Sequence, residues 1–268
     1  MVRKENVGDK IVENEILFYP ISYTNHPFDS FAFDDVLQHL VSQDKIPRVR
    51  SWVHDNFIIL GLQDMRLENL QDGLNTLRNK GYNYIVRNSG GLGVVLDSGV
   101  LNISLILPKS EVPTIDNGYE KMYDIIKKSF PELKIDAYEI VGSYCPGNFD
   151  LSVNGQKFAG ISQRRIKEAV AVQIYLAVEG SGGDRANVMK DFYDVSSKPP
   201  RLEMNRDIMI SLSELMKGLT VDDAENRILE TIKKEFGELK TAEPFSGEAL
   251  ERFDKQRERM VERNERLN

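Results

Sequence analysis

The chain has 268 residues, of which 41% are hydrophobic and 29% charged, and its formal net charge is -7. This size and composition are typical of an ordinary globular protein with a well-developed core. The negative charge argues against a general affinity for nucleic acids or anionic membranes. No stretch is apolar enough to span a bilayer, and the N-terminal segment MVRKENVGDKIVENE has no apolar signal core, so we expect a cytoplasmic protein.

The first half of the chain predicts a sheet-rich region that begins with a helix over 29–40, where apolar residues recur at helical spacing. The runs VRSWV and NFIILG are predicted strands, and His54–Asp55 between them predicts a hairpin turn. A helix follows over 67–80. The runs YNYIV and GVVLD are predicted strands around the loop 87–93, and LNISLIL continues as a buried strand.

The second half contains the clearest local signal. In FDLSVNGQKFAG, alternating residues flank Asn154–Gly155, the preferred pair for a two-residue hairpin turn. The run AVAVQIYLAV is a predicted strand that is apolar on both faces and therefore lies inside a sheet. Further helices are predicted over 118–130, in ANVMKDFYDV, over 211–217 and over 221–236, with a break at Pro199–Pro200.

The tail SGEALERFDKQRERMVERNERLN, from Ser246, is highly charged and has few apolar positions. This pattern is typical of a solvated or loosely docked helix. Helices and strands alternate along the rest of the chain, so the sequence predicts a mixed α/β or α+β fold. We expect one catalytic domain over 1–238, followed by a charged helical tail over 239–268.

A glycine-rich loop, RNSGGLG, runs from Arg87 to Gly93 between two predicted strands. Consecutive glycines allow the backbone to approach a ligand closely, and their N–H groups can face a carbonyl or phosphate oxygen. A tight β-turn that needs positive φ explains the same pattern equally well. The loop alone therefore does not decide between a binding site and a turn.

The single cysteine, Cys145, is the only candidate thiol nucleophile. One cysteine cannot form an internal disulfide, and it argues against a cysteine-based zinc site. The three histidines are not spaced like metal ligands, so we expect no metal site: they are His26, His39 and His54. A lone cysteine is more often a small buried hydrophobic residue than a nucleophile. Here Pro146 and Gly147 place it in a turn, which favours a reactive role.

Lys157 follows the predicted hairpin turn, in the segment NGQKFAGISQRR. Composition alone favours an exposed hairpin lysine. A lysine close to a cysteine could instead assist the thiol or transfer protons once burial has made its charged form less stable.

Taken together, these segments resemble the lipoate–protein ligase and octanoyltransferase superfamily, which is related to the biotin protein ligases. The likeness is carried by RNSGGLGVVLDSGVLNIS, by GQKFAGISQ, by RSWVHDNFIILGLQD and by RANVMKDFY, and runs in consistent order over about 28–193. It implies a biotin/lipoate protein ligase-like catalytic domain, a mixed sheet flanked by helices.

Within the superfamily, CPGNFDLSVNGQKFAGISQRR is most similar to the amidotransferases of some Gram-positive bacteria. That resemblance implies transfer of an octanoyl group through a thioester on Cys145, with Lys157 as acid and base. The donor would be a lysine of the glycine cleavage H protein, and the acceptors would be lipoyl domains of 2-oxoacid dehydrogenase complexes. The substrate-binding residues that it implies are Arg87, Ser89, Gly90, Gly91, Asp97, Asn102 and Gly160.

Two positions depart from the superfamily pattern. Leu96 replaces the histidine usual before the loop aspartate, and Leu92 replaces the third glycine of the triplet. These changes suit an enzyme that binds no acyl-adenylate. Because only helices are predicted after residue 200, we expect the accessory domain of the ligases to be absent. We therefore expect no ATP dependence and no cofactor.

Three alternatives to an amidotransferase remain open at this point. An octanoyltransferase that takes its acyl group from acyl carrier protein shares the fold and the nucleophile. An ATP-dependent lipoate ligase is disfavoured by the loop changes. A non-catalytic module that binds carrier proteins is disfavoured because Cys145 and Lys157 are both present. For an acyl chain we expect an apolar slot with walls from Val94, Leu96, Ile103, Phe158 and Ile161.

Overall fold

The computed structural model describes residues 15–24, 26–197, 203–265 and 267. Within them it contains a mixed eight-stranded sheet, a three-stranded sheet and seven α-helices. The strands are β1 (Glu15–Thr24), β2 (Arg48–His54), β3 (Phe57–Leu60), β4 (Asn83–Val86), β5 (Val94–Leu96), β6 (Val100–Pro108), β7 (Ile135–Ala137), β8 (Asp150–Val153), β9 (Gln156–Ile166), β10 (Ala169–Ala177) and β11 (Glu238–Thr241). The helices are α1 (Pro27–Asp44), α2 (Leu70–Asn79), α3 (Ile115–Ser129), α4 (Gly182–Ser196), α5 (Leu212–Leu215), α6 (Val221–Phe236) and α7 (Gly247–Glu265).

The predicted mixed fold of helices and strands is confirmed. The large sheet has the strand order β11-β1-β2-β6-β10-β9-β8-β7. Strand β1 is parallel to both of its neighbours, and the pairs from β2 to β7 are antiparallel. The apolar run that predicted an interior strand forms β10, which lies between β6 and β9. The predicted break at Pro199–Pro200 lies outside the described residues.

The predicted hairpin at His54–Asp55 is wrong. Strand β2 pairs with β1 and β6 in the large sheet, whereas β3 lies between β4 and β5 in the small sheet. The connection ends at Asn56, whose φ of +50° redirects the chain. Both strands are buried along their full length, so each needs partners on both edges, which a two-stranded hairpin would not provide.

The predicted hairpin at Asn154–Gly155 is confirmed and connects β8 to β9. Both turn residues have positive φ, +52° and +79°, as a type I′ turn requires. Because the turn fixes the register, it determines which residues of β9 face β8 and the loop before it.

Helices cover both faces of the large sheet. On one face, α3 and α6 enclose the largest apolar cluster, which includes Met122, Ile126 and Ile228. On the other face, Leu37 and Val41 of α1 pack on β6 and β10. A separate cluster joins the small sheet to α2 and α4. The two sheets therefore meet along the ends of β2, β6 and β10, where the cavity described below opens.

The charged C-terminal helix is docked against the body of the protein. Arg257 of α7 forms a 2.6 Å ion pair with Asp29 of α1. Met260, Asn264 and Leu267 are all less than 9% exposed. Before this helix, β11 pairs in parallel with β1, so the expectation of helices alone after residue 200 is wrong. The described parts of 1–238 and 239–268 thus share one sheet.

Candidate active site

A cavity of about 360 Å³ opens between the two sheets. Its floor comes from β2, β6, β9 and β10, and its opposite wall from β3, β5 and the glycine-rich loop. It is lined by Phe31, Trp52, Ile59, Arg87, Ser89, Gly90, Gly91, Val94, Leu96, Asn102, Tyr119, Cys145, Pro146, Gly147, Asp150, Gly160, Ile161, Ser162, Gln163, Gln173, Ile174 and Tyr175. The segments singled out in the sequence therefore converge on one apolar cavity with a polar rim.

Cys145 lies at the side of this cavity, half-buried, in the loop that precedes β8. Its φ is +47°, a conformation that residues with a Cβ rarely adopt. Such backbone strain persists only where surrounding contacts hold it in place. The thiol faces Arg87, whose Nη2 is 3.9 Å from Sγ. The guanidinium therefore lies beside the sulfur atom that would act as the nucleophile.

Lys157 supplies the contacts that hold the strained turn. Its Nζ donates to the carbonyl oxygens of Cys145 and Tyr144, at 2.9 and 3.0 Å, and to Oγ of Ser143 at 3.3 Å. The side chain is 0% exposed, so the exposed hairpin lysine favoured by composition is wrong. Burial is possible because Asp150 Oδ1 lies 2.8 Å from Nζ and compensates the charge.

Asp150 is a site residue that the sequence reasoning missed. Its Oδ2 accepts hydrogen bonds from the backbone N–H groups of Gly147 and Ile140, both at 3.2 Å. Burial raises the pKa of this carboxyl group, although the Lys157 ammonium beside it acts in the opposite direction. Asp150 is the only carboxylate between Cys145 and Lys157 in the chain, a signal that could have identified it.

The glycine-rich loop lies beside the cysteine because both of its ends are anchored. At its start, the Arg87 N–H donates to the Leu60 carbonyl at 3.0 Å. At its end, the Gly93 N–H donates to the Tyr193 hydroxyl at 2.9 Å, which in turn donates to Asp64 Oδ1 at 2.8 Å. Between them, Gly91 has a φ of +93°, and a Cβ there would lie 2.4 Å from Arg87 Nη2.

Most of the sequence-predicted site residues line the cavity: Arg87, Ser89, Gly90, Gly91, Asn102, Cys145 and Gly160. Asn102 lies opposite Trp52 in the register of β6 and β2, and Gly160 lies opposite Tyr175 in the register of β9 and β10. Lys157 lies behind the cavity wall, beneath the turn of Cys145.

Asp97 lies away from the cavity and is engaged in a structural ion pair. Its two carboxylate oxygens accept from Nε and Nη2 of Arg185 at 2.7 and 2.6 Å, and the Gly99 N–H donates to Oδ1 at 3.0 Å. Arg185 also donates to Oγ of Ser211 at 2.9 Å. This arrangement connects α4 to the turn between β5 and β6.

The apolar part of the cavity differs in part from the expected slot. Val94, Leu96 and Ile161 line it. Ile103 and Phe158 are fully buried in the large core cluster instead, because they point to the α3 and α6 side of the sheet. The walls that were missed include Trp52, Ile59, Tyr119, Ile174 and Tyr175. Their signal is weak in the sequence, since inward-facing residues of any buried strand are apolar. Within the described ranges, no group of three or more His, Cys, Asp or Glu side chains could hold a metal ion.

Comparison with known families matches residues 26–233 to the lipoyl protein ligase A/B catalytic domain. The chain belongs to this family. A relative from Lysinibacillus sphaericus, named octanoyl-[GcvH]:protein N-octanoyltransferase, is 47% identical over 251 residues and covers 90% of both chains. A relative from Listeria monocytogenes, named lipoyl-[GcvH]:protein N-lipoyltransferase, is 40% identical and covers 98% of this chain and 99% of its own.

The solved structures show the same lipoyl protein ligase fold. A lipoate-protein ligase A bound with ATP superimposes with a TM-score of 0.69 at 16% identity, covering 94% of this chain and 95% of the other. The family match and the relatives named above confirm the sequence resemblance to the ligase and octanoyltransferase superfamily. Of the described residues, no helix is long and apolar enough to cross a membrane.

Proposed function

We propose that this chain is an octanoyl amidotransferase of the cytoplasm. It takes the acyl group from a lysine of the glycine cleavage H protein and delivers it to a lysine of the lipoyl domains of 2-oxoacid dehydrogenase complexes. The observation that carries the proposal is Cys145, a thiol at the wall of an apolar cavity, 3.9 Å from the Arg87 guanidinium. The names of the relatives from Lysinibacillus sphaericus and Listeria monocytogenes support the donor.

In the first half-reaction, the Cys145 thiolate attacks the carbonyl carbon of the octanoyl amide. The C–N bond breaks, the donor lysine leaves as an amine after taking a proton, and a thioester forms on Sγ. Lys157, paired with Asp150 behind the turn, supplies that proton. Backbone N–H groups of the loop 89–91 stabilise the oxyanion, a contribution of about 3 kcal/mol for one donor.

In the second half-reaction, the acceptor lysine attacks the thioester. The C–S bond breaks, the thiolate of Cys145 is regenerated, and Lys157 takes up the proton that the incoming amine loses. An amide is broken and an amide is formed, so the exchange needs no nucleotide. Arg87, Ser89, Gly90, Gly91, Asn102 and Gly160 form the substrate-contacting wall, while Asp97, paired with Arg185, lies outside it.

The apolar cavity selects an acyl chain of medium length. Burying the seven carbons beyond the carbonyl at about 0.8 kcal/mol each contributes roughly 5 kcal/mol. Val94, Leu96 and Ile161 line this part of the cavity. The Listeria monocytogenes relative is named for lipoyl transfer, and a lipoyl chain would use the same thioester chemistry.

The mass of the intact protein after incubation with acylated donors tests the proposal. Octanoylated H protein should add one octanoyl group to the wild type and none to Cys145→Ala, and later addition of a lipoyl domain should remove it. Octanoyl-acyl carrier protein should leave the mass unchanged. Labelling from acyl carrier protein alone would identify an octanoyltransferase of the other kind, and labelling of Cys145→Ala would exclude the covalent scheme. Lipoylated H protein in a parallel reaction shows whether the longer group is accepted.

A further inference from the structure

The charged helix α7 carries one buried polar side chain, Asn264, which is 8% exposed. Its Oδ1 accepts from the Val86 N–H at 2.6 Å, and its Nδ2 donates to the Val86 carbonyl at 3.1 Å. A second donation from Nδ2, to the carbonyl of Met260 at 2.8 Å, fixes the amide within its own helix. Asn264 thus satisfies both backbone groups of one residue, as a neighbouring strand would.

Val86 is the point where β4 ends and the glycine-rich loop begins. In the described part of the chain, β4 is an edge strand of the small sheet, and β3 covers its other side. The side chain of Asn264 takes the place of a further strand at that edge. It therefore sets the direction in which the backbone leaves β4 and enters Arg87.

Among the described side chains, Arg87 is the cation that donates to Sγ of Cys145, whereas Lys157 donates to the carbonyl of the same residue. The Nη2 of Arg87 is 3.9 Å from Sγ and also donates to the Leu92 carbonyl at 3.3 Å. Its N–H is bound by Leu60 on the β3 side. The backbone at Val86 and Arg87 is therefore held by two elements. Leu60 of β3 accepts from the Arg87 N–H, and Asn264 of α7 binds both backbone groups of Val86.

The residue that follows Arg87 is linked to α7 only indirectly, through Asp35 of α1. Asn88 Nδ2 donates to Asp35 Oδ2 at 3.4 Å, and Arg164 Nη1 lies 3.2 Å from Asp35 Oδ1. Arg259 and Arg263 of α7 lie close enough to act on the Asp35 carboxylate electrostatically. Helix α7 is therefore bonded to the residue before Arg87 and lies near the carboxylate that binds the residue after it.

We propose that Asn264 is a positioning residue, which acts through the Val86 backbone to hold the Arg87 guanidinium against Sγ of Cys145. Only the catalytic consequence of this inference rests on the proposed function. The test is independent of that function, because the reactivity of the Cys145 thiol toward a small electrophile can be measured without any acyl donor.

A double-mutant cycle with Arg87 tests the inference through the rate of alkylation of Cys145 by iodoacetamide at neutral pH. Loss of a charge-assisted contact in Arg87→Ala should slow alkylation about tenfold. Asn264→Ala should slow it about fivefold, because Arg87 is then less well placed. The double variant should react at the rate of Arg87→Ala alone, since both changes remove the same interaction.

Met260→Ala is the matched control, because Met260 packs α7 on the core cluster that contains Val86 but its side chain makes neither of the hydrogen bonds to the Val86 backbone. It should lower the unfolding midpoint and leave the alkylation rate unchanged. If Asn264→Ala does not give folded protein, Asn264→Asp replaces it in the cycle. That variant keeps the acceptor for the Val86 N–H and loses the donor to its carbonyl.

The inference is overturned by additive effects of Arg87→Ala and Asn264→Ala, by a normal alkylation rate in the Asn264 variant, or by an equal loss in Met260→Ala. Failure of the wild type to accept an octanoyl group would overturn the proposed function instead, and would leave the alkylation cycle as it stands. In the acyl-transfer assay, Asn264→Ala should lower kcat with little change in KM, because it alters the nucleophile and not the cavity.

Discussion

At the scale of single residues, the buried pair of Lys157 and Asp150 fixes the backbone conformation of the loop that carries Cys145. Lys157 satisfies two carbonyls of the strained turn, and Asp150 holds two N–H groups of the same loop. One hydrogen-bond network therefore sets the backbone around Cys145 and places an ionisable pair directly behind it.

Removing one member of this pair should cost both stability and activity. Lys157→Met leaves the Asp150 charge buried without a partner, and we expect a loss of about 3 to 5 kcal/mol in the free energy of unfolding. Adding Asp150→Asn should recover the part of that loss that comes from the uncompensated charge, while the two carbonyls that Lys157 bound stay unpaired and acyl transfer stays defective. Urea unfolding and single-turnover acylation measure the two effects. Acyl transfer near the wild-type rate in the double variant would show that Lys157 is not the acid and base.

Lys157 also shows the limit of what the sequence could predict at this scale. Its place one residue after the turn region was predictable, but its burial was not, because burial depends on the carboxylate of Asp150 across the hairpin. Cys145 was identified by its turn context and by family resemblance. The positive φ of Cys145, +47°, could not be predicted from the sequence, because no residue type near it requires that conformation.

At the scale of elements, the glycine-rich loop combines a conformational requirement with a steric one. Gly91 needs a φ of +93°, and a Cβ there would meet the Arg87 side chain. Both constraints apply at a residue whose added Cβ would also lie 3.6 Å from Sγ of Cys145.

Gly91→Ala should therefore lose activity out of proportion to stability. The positive φ costs an alanine about 1 to 2 kcal/mol, and the displaced guanidinium should slow acylation at least about tenfold. Gly81→Ala is the matched control, because Gly81 has a φ of +82° with nothing within 4 Å of an added Cβ. It should lose similar stability and retain full acylation. Equal activity losses in the two variants would mean that backbone strain alone accounts for the effect.

Elements governed by local chemistry were predictable, and those governed by distant partners were not. The turn at Asn154–Gly155 and the helix over 221–236 follow from residue type and spacing. Strand β1 was missed because Pro20 interrupts its pattern, and that proline falls at the register shift between Tyr19 and Ser22, where no ladder bond is needed. The polar β11 was missed because only its pairing with β1 makes it a strand.

At the scale of the whole molecule, Asp35 joins four parts of the fold, namely α1, β9, the glycine-rich loop and α7. Burial raises the pKa of its carboxyl group to about 6, from an ordinary value of 3.8, even with Arg164 beside it. The folded state therefore binds a proton more tightly than the unfolded chain at this site.

The free energy of unfolding therefore falls as the Asp35 carboxyl group ionises. Below the unfolded pKa the group is neutral in both states, and as pH rises through about 6 the folded state loses up to about 3 kcal/mol relative to the unfolded one. Asp35→Asn cannot ionise, so its free energy of unfolding minus that of the wild type should increase between about pH 4 and about pH 6 and level off above that. Urea titrations of both proteins across this range measure the difference. A constant difference would contradict the assignment.

The parallel pairing of β1 with β11 has a consequence for how the protein is made. During synthesis on the ribosome, β1 emerges early, and β2 can pair with one of its edges soon afterwards. The other edge stays open until Glu238–Thr241 have been added, more than two hundred residues later. For that interval one edge of β1 presents a row of unpaired backbone groups, and open strand edges of this kind are where chains pair with one another and aggregate.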